Sequence, residues 1–360
     1  MSGENKTRVA IVGWGNVGRG AFWGVRKNEE LYGDMTVKAL FTRRPAEAGM
    51  GVLVINCGDT KKTKELEKCL QTEVDVAILC GGSKEDLPAQ GPFFAYHTNV
   101  VDSFDTHGKA MTHADARKNP RLGYLEEMDC VARARGKTAI CGLGWDPGTF
   151  SAEKALMEAF IPGAVANAFY GLGENGGLSM GHSDALRTIP GVKDARQYTH
   201  AIKEAIESMG SGRRIEKPED PWPGGMHWRE CFVVLEKDTA GERARVESEI
   251  RSMPYYFAGY RTEVRFVGAE EIANLDAERG RAHDGLVLAA GKTPSGTAMI
   301  EYRNTWKSNP EATGCILAAG ARACHRLAKS GQHRAYTMLD IAPALFTPCA
   351  SREEMLKRYF

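Results

Sequence analysis

The sequence predicts an α/β protein, in which a doubly wound parallel sheet is followed by a second domain of the α+β class. Three observations support this prediction. Short β-rich runs alternate with helix-patterned stretches through the first 145 residues, a glycine-rich turn follows the first of these runs, and the pattern changes after Pro147. Strand–helix alternation at this spacing is typical of βαβ units, whose parallel strands are covered by helices on both faces.

The first domain is predicted to span residues 1–147. Its strands are expected where β-branched residues cluster, and its helices where apolar residues recur at helical spacing. The predicted strands are 8–12, 36–41, 74–80, 99–102 and 137–141, and the predicted helices are 17–27, 61–70 and 122–135.

The second domain is predicted to span residues 148–309 and to bind the substrate. Its connections are longer and richer in glycine and proline, notably at 171–181 and 210–225. Its predicted strands are 231–235, 262–267, 285–290 and 297–302, which suit an antiparallel or mixed sheet. The remaining residues, 310–360, begin with a long helical pattern whose small residues suit close packing back on the first domain.

Composition excludes several classes of protein. The 360 residues carry 47 basic and 46 acidic side chains, so the net charge of +1 offers no field to attract nucleic acid or an anionic membrane. No run of about 20 apolar residues predicts a spanning helix, and the polar N-terminus lacks a signal core. Nine cysteines without a CxxC pair predict reduced thiols in a cytoplasmic protein. His107 and His113 lie six residues apart, which matches no favoured metal pair, so no metal is expected.

The glycine-rich turn has the spacing of a dinucleotide-binding loop. Gly13, Gly15 and Gly18 follow a strand and open a helix, with Asn16 and Val17 between them. The first glycine permits the tight turn, the second lets the backbone approach a pyrophosphate, and the third lets helix and strand pack closely. The pyrophosphate would rest on the free N–H groups of the helix. A bare strand–helix turn is the alternative, and the placement favours a Rossmann-type nucleotide site.

The end of the second strand predicts which dinucleotide is bound. NAD-selective domains place an acidic residue there for the ribose 2′-hydroxyl. This chain has Thr42, Arg43 and Arg44 instead, about 24 residues after Gly18. Two guanidiniums suit a dianionic 2′-phosphate, so NADP is the expected cofactor, although a solvated basic pair is an alternative. Gly81, Gly82 and Ser83 end another strand, where a cofactor contact and a plain turn are equal alternatives.

Carboxylates follow two strands of the predicted parallel sheet. Asp105 closes the segment after the strand at 99–102, and Asp146 follows the strand at 137–141. Ligands of open α/β sheets lie beyond these carboxyl ends, so the two carboxylates could meet near the nicotinamide and hold an ammonium group. Asp146 could instead cap the helix after Pro147, and its neighbour Trp145 could belong to the core or to a pocket wall.

Polar residues of the second domain are further candidates. Arg229 heads a β-rich run and could clamp a carboxylate in bidentate fashion. His283 is expected in a loop, and Asn309 precedes a proline at a helix start. Composition alone places each of these three at the surface. The polar segment 181–187 is expected to start a helix, with Ser183 or Asp184 as its cap.

The chain resembles the meso-diaminopimelate D-dehydrogenase family over nearly its whole length. The motifs GHSDALR at 181–187 and MPYYFAGY at 253–260 carry the resemblance most specifically. The other matching segments occur in the family's order at 8–19, 42–44, 101–105, 144–148, 188–191, 197–199 and 229–234.

The resemblance implies an activity, a partner and roles for residues. The activity is reversible NADP-dependent oxidative deamination of meso-2,6-diaminopimelate at its D-centre, in lysine and cell-wall precursor synthesis. The product is L-2-amino-6-oxopimelate, which cyclises to tetrahydrodipicolinate, with ammonia and NADPH. A homodimer formed by the second domain is also implied. Asp105 and Asp146 would act at the reacting amino group, and the substrate would also contact Trp145, Tyr170, Thr199, Arg229, His283 and Asn309.

Two segments depart from the family pattern. Residues 171–178 are longer and richer in glycine, and residues 210–225 are extended. Either could change the pocket, so the alternative enzyme is a related dehydrogenase acting on other D-amino or diamino acids. An NADP-binding sensor without catalysis is the alternative from another class, but it would not need Asp105, Asp146 and Arg229 together.

Overall fold

The computed structural model describes residues 6–46, 49, 51–83, 85–105, 123–211, 225–254, 256–279 and 282–360. The chain forms two compact units, one of residues 1–152 with 310–360 and the other of residues 153–309. The boundary falls inside a helix, whereas the sequence analysis ended the first domain at Pro147. His107, His113 and most of the loop 210–225 lie outside the described residues.

A parallel sheet forms the centre of the first unit. Its first six strands are β1 (Thr7–Val12), β2 (Met35–Thr42), β3 (Leu53–Asn56), β4 (Val76–Leu79), β5 (Asn99–Asp102) and β6 (Ala139–Ile140). They lie in the order β6-β5-β4-β1-β2-β3, and every pairing is parallel. The order reverses between β1 and β4, which is where ligands of doubly wound sheets bind.

Helices connect these strands and cover the sheet. They are α1 (Asn16–Tyr32), α2 (Thr63–Thr72), α3 (Leu87–His97), α4 (Tyr124–Arg135) and α5 (Phe150–Phe160), the last of which leads into the second unit. One face of the sheet is buried by side chains of α2, α3 and α4, such as Leu66, Phe94 and Met128. Residues of α1, such as Ala21 and Val25, bury the other face, and burial on both faces explains why all four residues of β4 are apolar without alternation.

The second unit contains two smaller sheets. Its strands are β7 (Asn167–Tyr170), β8 (Gly177–Leu178), β9 (Val192–Ala201), β10 (His227–Leu235), β11 (Arg261–Phe266), β12 (His283–Thr293) and β13 (Gly296–Trp306). One sheet is mixed, in the order β11-β10-β9-β8, and the other is antiparallel, in the order β13-β12-β7. The helices are α6 (Met180–Arg187), α7 (Lys203–Gly210), α8 (Ala240–Ser252) and α9 (Ala269–Glu278).

The C-terminal part of the chain returns to the first unit. Helix α10 (Asn309–Lys329) buries the second face of the parallel sheet together with α1, through residues such as Leu317 and Ala321. Strand β14 (Ala335–Tyr336) pairs in parallel with β6 and completes a seven-stranded sheet. Helix α11 (Arg352–Tyr359) ends the chain.

The predicted fold class is confirmed. None of the helices in the described part of the chain is long and apolar enough to cross a membrane.

Two local predictions are wrong. His283 is the first residue of β12, not part of a loop, because its backbone pairs with Trp306 across the hairpin. The N-cap of α6 is Ser179, so Ser183 and Asp184 lie inside the helix. Ser183 is fully buried and accepts a hydrogen bond from the Gln197 N–H at 2.9 Å, which ties α6 to β9.

Candidate active site

The turn between β1 and α1 is built for close approach of a ligand to the backbone. Gly13 has φ +100°, and its N–H donates to the carbonyl of Phe41 at 2.8 Å. A Cβ at Gly18 would lie 2.1 Å from the Gly13 oxygen, so no larger residue fits there. The N-cap is Gly15, where a Cβ would meet nothing within 4 Å. Gly15 therefore leaves free space at the start of α1, and the first-turn N–H groups, beginning at Asn16 and Val17, have no carbonyl partner within the helix and can bind a pyrophosphate.

The end of β2 presents two guanidinium groups. Thr42 is buried, and its hydroxyl accepts a hydrogen bond from the Arg44 N–H at 3.0 Å, which shapes the turn. Arg43 and Arg44 are exposed, and Arg43 pairs with Asp86 at 3.2 Å. An exposed ion pair of this kind is weak, so Arg43 can exchange Asp86 for a phosphate at little cost.

Asp86 also joins the two loops predicted to bind the cofactor. Its Oδ2 accepts a hydrogen bond from the Gly82 N–H at 3.0 Å, while its Oδ1 pairs with Arg43. A Cβ at Gly81 would lie 2.6 Å from the Asp86 Cβ, so the loop after β4 rests directly on this residue. Asp86 was not among the predicted residues, because α3, the helix that follows it, was not predicted either.

Ser83 connects the loop after β4 to the loop that carries Asp105. Its hydroxyl donates to the Ser103 carbonyl at 3.3 Å and accepts from the Asp105 N–H at 3.1 Å. The side chain of Asp105 is exposed. The predicted cofactor loop and the first predicted catalytic carboxylate are thus neighbours.

A buried carboxylate, Asp102, holds the next pair of loops together. It accepts hydrogen bonds from the N–H groups of Phe104 and Gly142, each at 3.0 Å, and from the Tyr124 hydroxyl at 2.8 Å. Burial raises the pKa of the Asp102 carboxyl, against the effect of these three hydrogen bonds. Phe104 precedes Asp105, and Gly142 begins the loop that leads to Asp146. Asp102 therefore holds the loop of Asp105 and the loop of Asp146 in place through their backbone N–H groups.

The loop after β6 carries the second predicted carboxylate. Trp145 is buried and stacks on Phe150 at 5.7 Å between ring centroids. Asp146 is exposed, and its Oδ1 accepts from the Ser151 hydroxyl at 3.5 Å. The Asp146–Pro147 peptide is cis. Because β5 and β6 are adjacent, two exposed carboxylates follow neighbouring strand ends, which suits binding of an ammonium group.

In the second unit, Arg229 is buried on the mixed sheet. It lies opposite Thr199 in the β9–β10 register, and its Nη1 donates to the Thr199 hydroxyl at 2.5 Å. Its guanidinium carbon lies 4.2 Å from the centre of the Tyr260 ring. Within the described part of the chain, no acidic side chain pairs with Arg229, whose other side-chain partner is Tyr260, and its Nε has no hydrogen-bond partner. A buried cation in this state is a strong binding site for a carboxylate.

Two histidines enclose Tyr170 beside this guanidinium. The Tyr170 ring stacks on His227 at 5.5 Å and on His283 at 5.8 Å between centroids. His227 Nε2 accepts a hydrogen bond from the Tyr170 N–H at 3.0 Å. Burial, together with the charge of Arg229, lowers the pKa of His283 to about 4, so this imidazole is neutral at physiological pH.

The structure therefore brings four predicted substrate-binding residues together, namely Tyr170, Thr199, Arg229 and His283. The surface placement of Arg229 and His283 by composition is wrong, since both are buried. Asn309 is half-buried at the first position of α10. His227 and Tyr260 were missed. His227 lies two positions before Arg229, so strand alternation places both on one face, and that was an available signal.

The described residues contain no group of three or more histidine, cysteine or acidic side chains that could hold a metal ion.

Comparisons with known proteins give one consistent result. A family model for the diaminopimelic acid dehydrogenase C-terminal domain matches residues 144–308. Meso-diaminopimelate D-dehydrogenase of Ureibacillus thermosphaericus is 40% identical over 357 residues, which cover 98% of this chain and 99% of that protein. The Corynebacterium glutamicum enzyme of the same name is 37% identical, with 95% of each chain covered.

Solved structures agree with the sequence comparisons. The C. glutamicum diaminopimelate dehydrogenase in complex with diaminopimelate has a TM-score of 0.81 at 34% identity, over 99% of this chain and 100% of that one. An engineered D-amino acid dehydrogenase bound to NADP+ has a TM-score of 0.80 at 32% identity, with the same coverage.

Proposed function

The chain belongs to the meso-diaminopimelate D-dehydrogenase family, and from this premise we propose that it oxidises meso-2,6-diaminopimelate at its D-configured carbon with NADP. The observation that carries the proposal is the buried guanidinium of Arg229, which has no acidic partner in the described residues and lies beside Thr199. The substrate has two carboxylates and two ammonium groups. A site for it needs buried cations and exposed acids, and this chain supplies both on a nearly neutral protein.

The residues of the first unit fit NADP. The pyrophosphate would bind the first turn of α1 through the turn at Gly13, Gly15 and Gly18, and Asn16 and Val17 would contribute N–H groups. At the end of β2, Thr42, Arg43 and Arg44 would hold the 2′-phosphate, where a bound NAD ribose would need an acid instead. Gly81, Gly82 and Ser83 would line the nicotinamide side. When bound, NADP accepts the hydride that leaves the substrate carbon.

Asp105 and Asp146 would accept the proton that the substrate ammonium group has to lose. The amino group must be neutral before its carbon loses hydride, so an ammonium substrate has to give up one proton. Either carboxylate can accept it, directly or through a water, and can hold the amino group in place. Loss of hydride leaves an imine, which water converts into L-2-amino-6-oxopimelate and ammonia. The 6-oxo group, a ketone, then condenses with the remaining amino group, with loss of water, to give tetrahydrodipicolinate.

The second unit would hold carboxylate groups of the substrate. Arg229 can form two parallel hydrogen bonds to a carboxylate, and Thr199 can add a third from its hydroxyl. Neutral His283 can donate one N–H, and Tyr170, which stacks on both histidines, would border the apolar chain of the substrate. Asn309 and Trp145 complete the proposed set of substrate-binding residues.

A second candidate is a dehydrogenase with a broader range of D-amino acids. The observation that favours it is the glycine-rich stretch 171–178, whose backbone lies directly against Thr199 and His283. Greater kcat/KM on simple D-amino acids than on diaminopimelate would establish it.

The decisive experiment compares NADPH formation on the meso, LL and DD isomers of diaminopimelate, each with NADP and with NAD. We expect turnover on the meso isomer, little on the LL isomer, which lacks a D-centre, and a strong preference for NADP. Demonstrated NADP binding without turnover of any isomer would contradict the substrate assignment while leaving the cofactor assignment intact.

A homodimer formed by the second unit is part of the proposal. Strand β13 is an edge strand, and its 11 residues present an unpaired backbone edge in the described structure. Along it, Met299 is 50% exposed and Ile300 and Tyr302 are half-buried, an apolar pattern that suits pairing with a second copy. Light scattering should give the mass of two chains, and Tyr302→Glu should shift it towards one; a wild-type monomer would contradict the dimer.

We place the reaction in the cytoplasm, because all nine cysteines are free.

A further inference from the structure

One segment of the second unit touches both halves of the substrate cluster. Residues 171–177, called here the glycine segment, run from the end of β7 to the start of β8. Strand β7 belongs to the antiparallel sheet that carries Tyr170 and His283, while β8 belongs to the mixed sheet that carries Thr199 and Arg229. The glycine segment therefore joins the two sheets at the point where the cluster forms.

Asp284 anchors the glycine segment to the antiparallel sheet. Its backbone carbonyl accepts a hydrogen bond from the Gly171 N–H at 3.1 Å, and its Oδ1 accepts one from the Leu172 N–H at 3.1 Å. Asp284 directly follows His283, so the same short stretch of β12 carries both the anchor and a member of the cluster.

The backbone of the glycine segment lies against the cluster itself. A Cβ at Gly171 would lie 1.8 Å from the Thr199 carbonyl oxygen, and one at Gly177 would lie 2.3 Å from Nδ1 of His283. The Gly171 carbonyl in turn accepts from the Ala201 N–H at 3.1 Å. Only glycine allows this approach, so the position of the segment determines where Thr199 and His283 lie relative to each other.

His200 supports the glycine segment from the other face of the mixed sheet. A Cβ at Gly176 would lie 2.7 Å from Cε1 of His200. The His200 ring stacks on Trp228 at 4.0 Å between centroids, and its Nε2 lies 3.1 Å from the Glu230 carboxylate. Glu230 is itself buried and paired with Arg279 at 2.6 Å. His200 is thus held by Trp228 and by Glu230, so its ring is fixed where it contacts the glycine segment.

We propose that the glycine segment, held between Asp284 and His200, sets the spacing between Thr199 and His283 and thereby the affinity of the cluster for the substrate carboxylate. Asp284 and His200 are then positioning residues that do not touch the substrate. The inference rests on the proposed function, because it concerns the same substrate. It predicts effects on KM for diaminopimelate without effects on cofactor binding.

The first test uses two glycines of the same segment. Gly176 has φ +67°, and its Cβ would strike His200, whereas a Cβ at Gly173 would meet nothing within 4 Å. Gly176→Ala should raise KM for meso-diaminopimelate about tenfold with kcat within about threefold of wild type, the pattern of lost binding shared by ground and transition states. Gly173→Ala should match wild type. Equal KM values for the two variants would overturn the proposal.

The second test changes the anchor and keeps a readout that does not need the substrate. Asp284→Ala removes the acceptor for the Leu172 N–H, while Asp284→Asn retains an oxygen there. Asp284→Ala should raise KM about tenfold, Asp284→Asn should restore it, and the KM for NADP should stay unchanged in both. Amide hydrogen exchange over residues 170–178 should quicken in Asp284→Ala alone.

The two measurements separate two failures. If wild-type protein does not oxidise meso-diaminopimelate, the proposed function fails, and the exchange rates still decide whether Asp284 holds the segment. If wild type is active and Asp284→Ala leaves both KM and exchange unchanged, the positioning role is wrong.

Discussion

Replacing Asp105 and Asp146 together by asparagine should lower kcat for meso-diaminopimelate by about 10²- to 10⁴-fold, the usual contribution of general acid–base catalysis. Both side chains are exposed at the ends of adjacent strands, where they can reach a substrate amino group. Asparagine has the same shape but cannot accept the proton that the ammonium group must lose. Steady-state kinetics at saturating NADP would measure the loss.

Cofactor binding should persist in the double variant. The contact of Asp105 to Ser83 uses its backbone N–H, which the substitution retains. The Ser151 hydroxyl donates to Oδ1 of Asp146, and asparagine keeps that oxygen. NADP affinity should therefore lie within about twofold of wild type, as it should for Glu30→Gln, a control at an exposed carboxylate of α1. Near-normal kcat in the double variant would show that neither carboxylate is the base. If kcat falls as expected, the single variants assign the role to one carboxylate or to both.

The fold class followed from the sequence because strand burial and helix periodicity are local signals. Helix α3 escaped prediction because Pro88, Gly91 and Pro92 read as loop residues. Packing overrides that preference here. Pro88 lies in the first turn, where its missing N–H costs nothing, and a Cβ at Gly91 would lie 2.4 Å from the Tyr124 hydroxyl of α4. Strands β3 and β14 escaped because they are short and pair only at the sheet edges.

The candidate site was predictable where a residue's chemistry was visible in its own segment. Asp105, Asp146 and Arg229 each stand out in this way. Asp102 did not, because its role depends on hydrogen bonds from Gly142 and Tyr124, which are far from it in sequence. Burial raises the pKa of the Asp102 carboxyl. Its hydrogen bonds to the two loops form only when the strands lie side by side in the folded sheet, so the sequence alone does not reveal them.

Arg229→Met should raise KM for meso-diaminopimelate by roughly 30- to 5,000-fold, the consequence of losing about 2–5 kcal/mol from a buried charged hydrogen-bond pair. Methionine fills much of the same volume, so the sheet should fold. Arg261→Met is the matched control, since Arg261 lies on the neighbouring strand with its side chain 70% exposed and should change KM by less than about twofold. KM values that rise equally in both variants would show a general effect of charge rather than a carboxylate site at Arg229.

The same variant should alter the pH dependence of stability, which supplies a check that needs no substrate. His283 has a pKa of about 4 in the folded protein against 6.5 when unperturbed, through burial first and the charge of Arg229 second. As pH falls below 6.5, the unfolded chain takes up this proton first, so the free energy of unfolding drops by about 2 kcal/mol between pH 6.5 and 5. Without Arg229 the folded pKa should rise part of the way towards 6.5, since burial remains, and the drop should shrink. Other buried histidines contribute equally to both proteins. Urea unfolding of wild type and variant at pH 7 and pH 5 therefore isolates the contribution of His283 to the drop in unfolding free energy. An unchanged drop would mean that the Arg229 charge does not act on His283, and the two side chains could not then share one carboxylate.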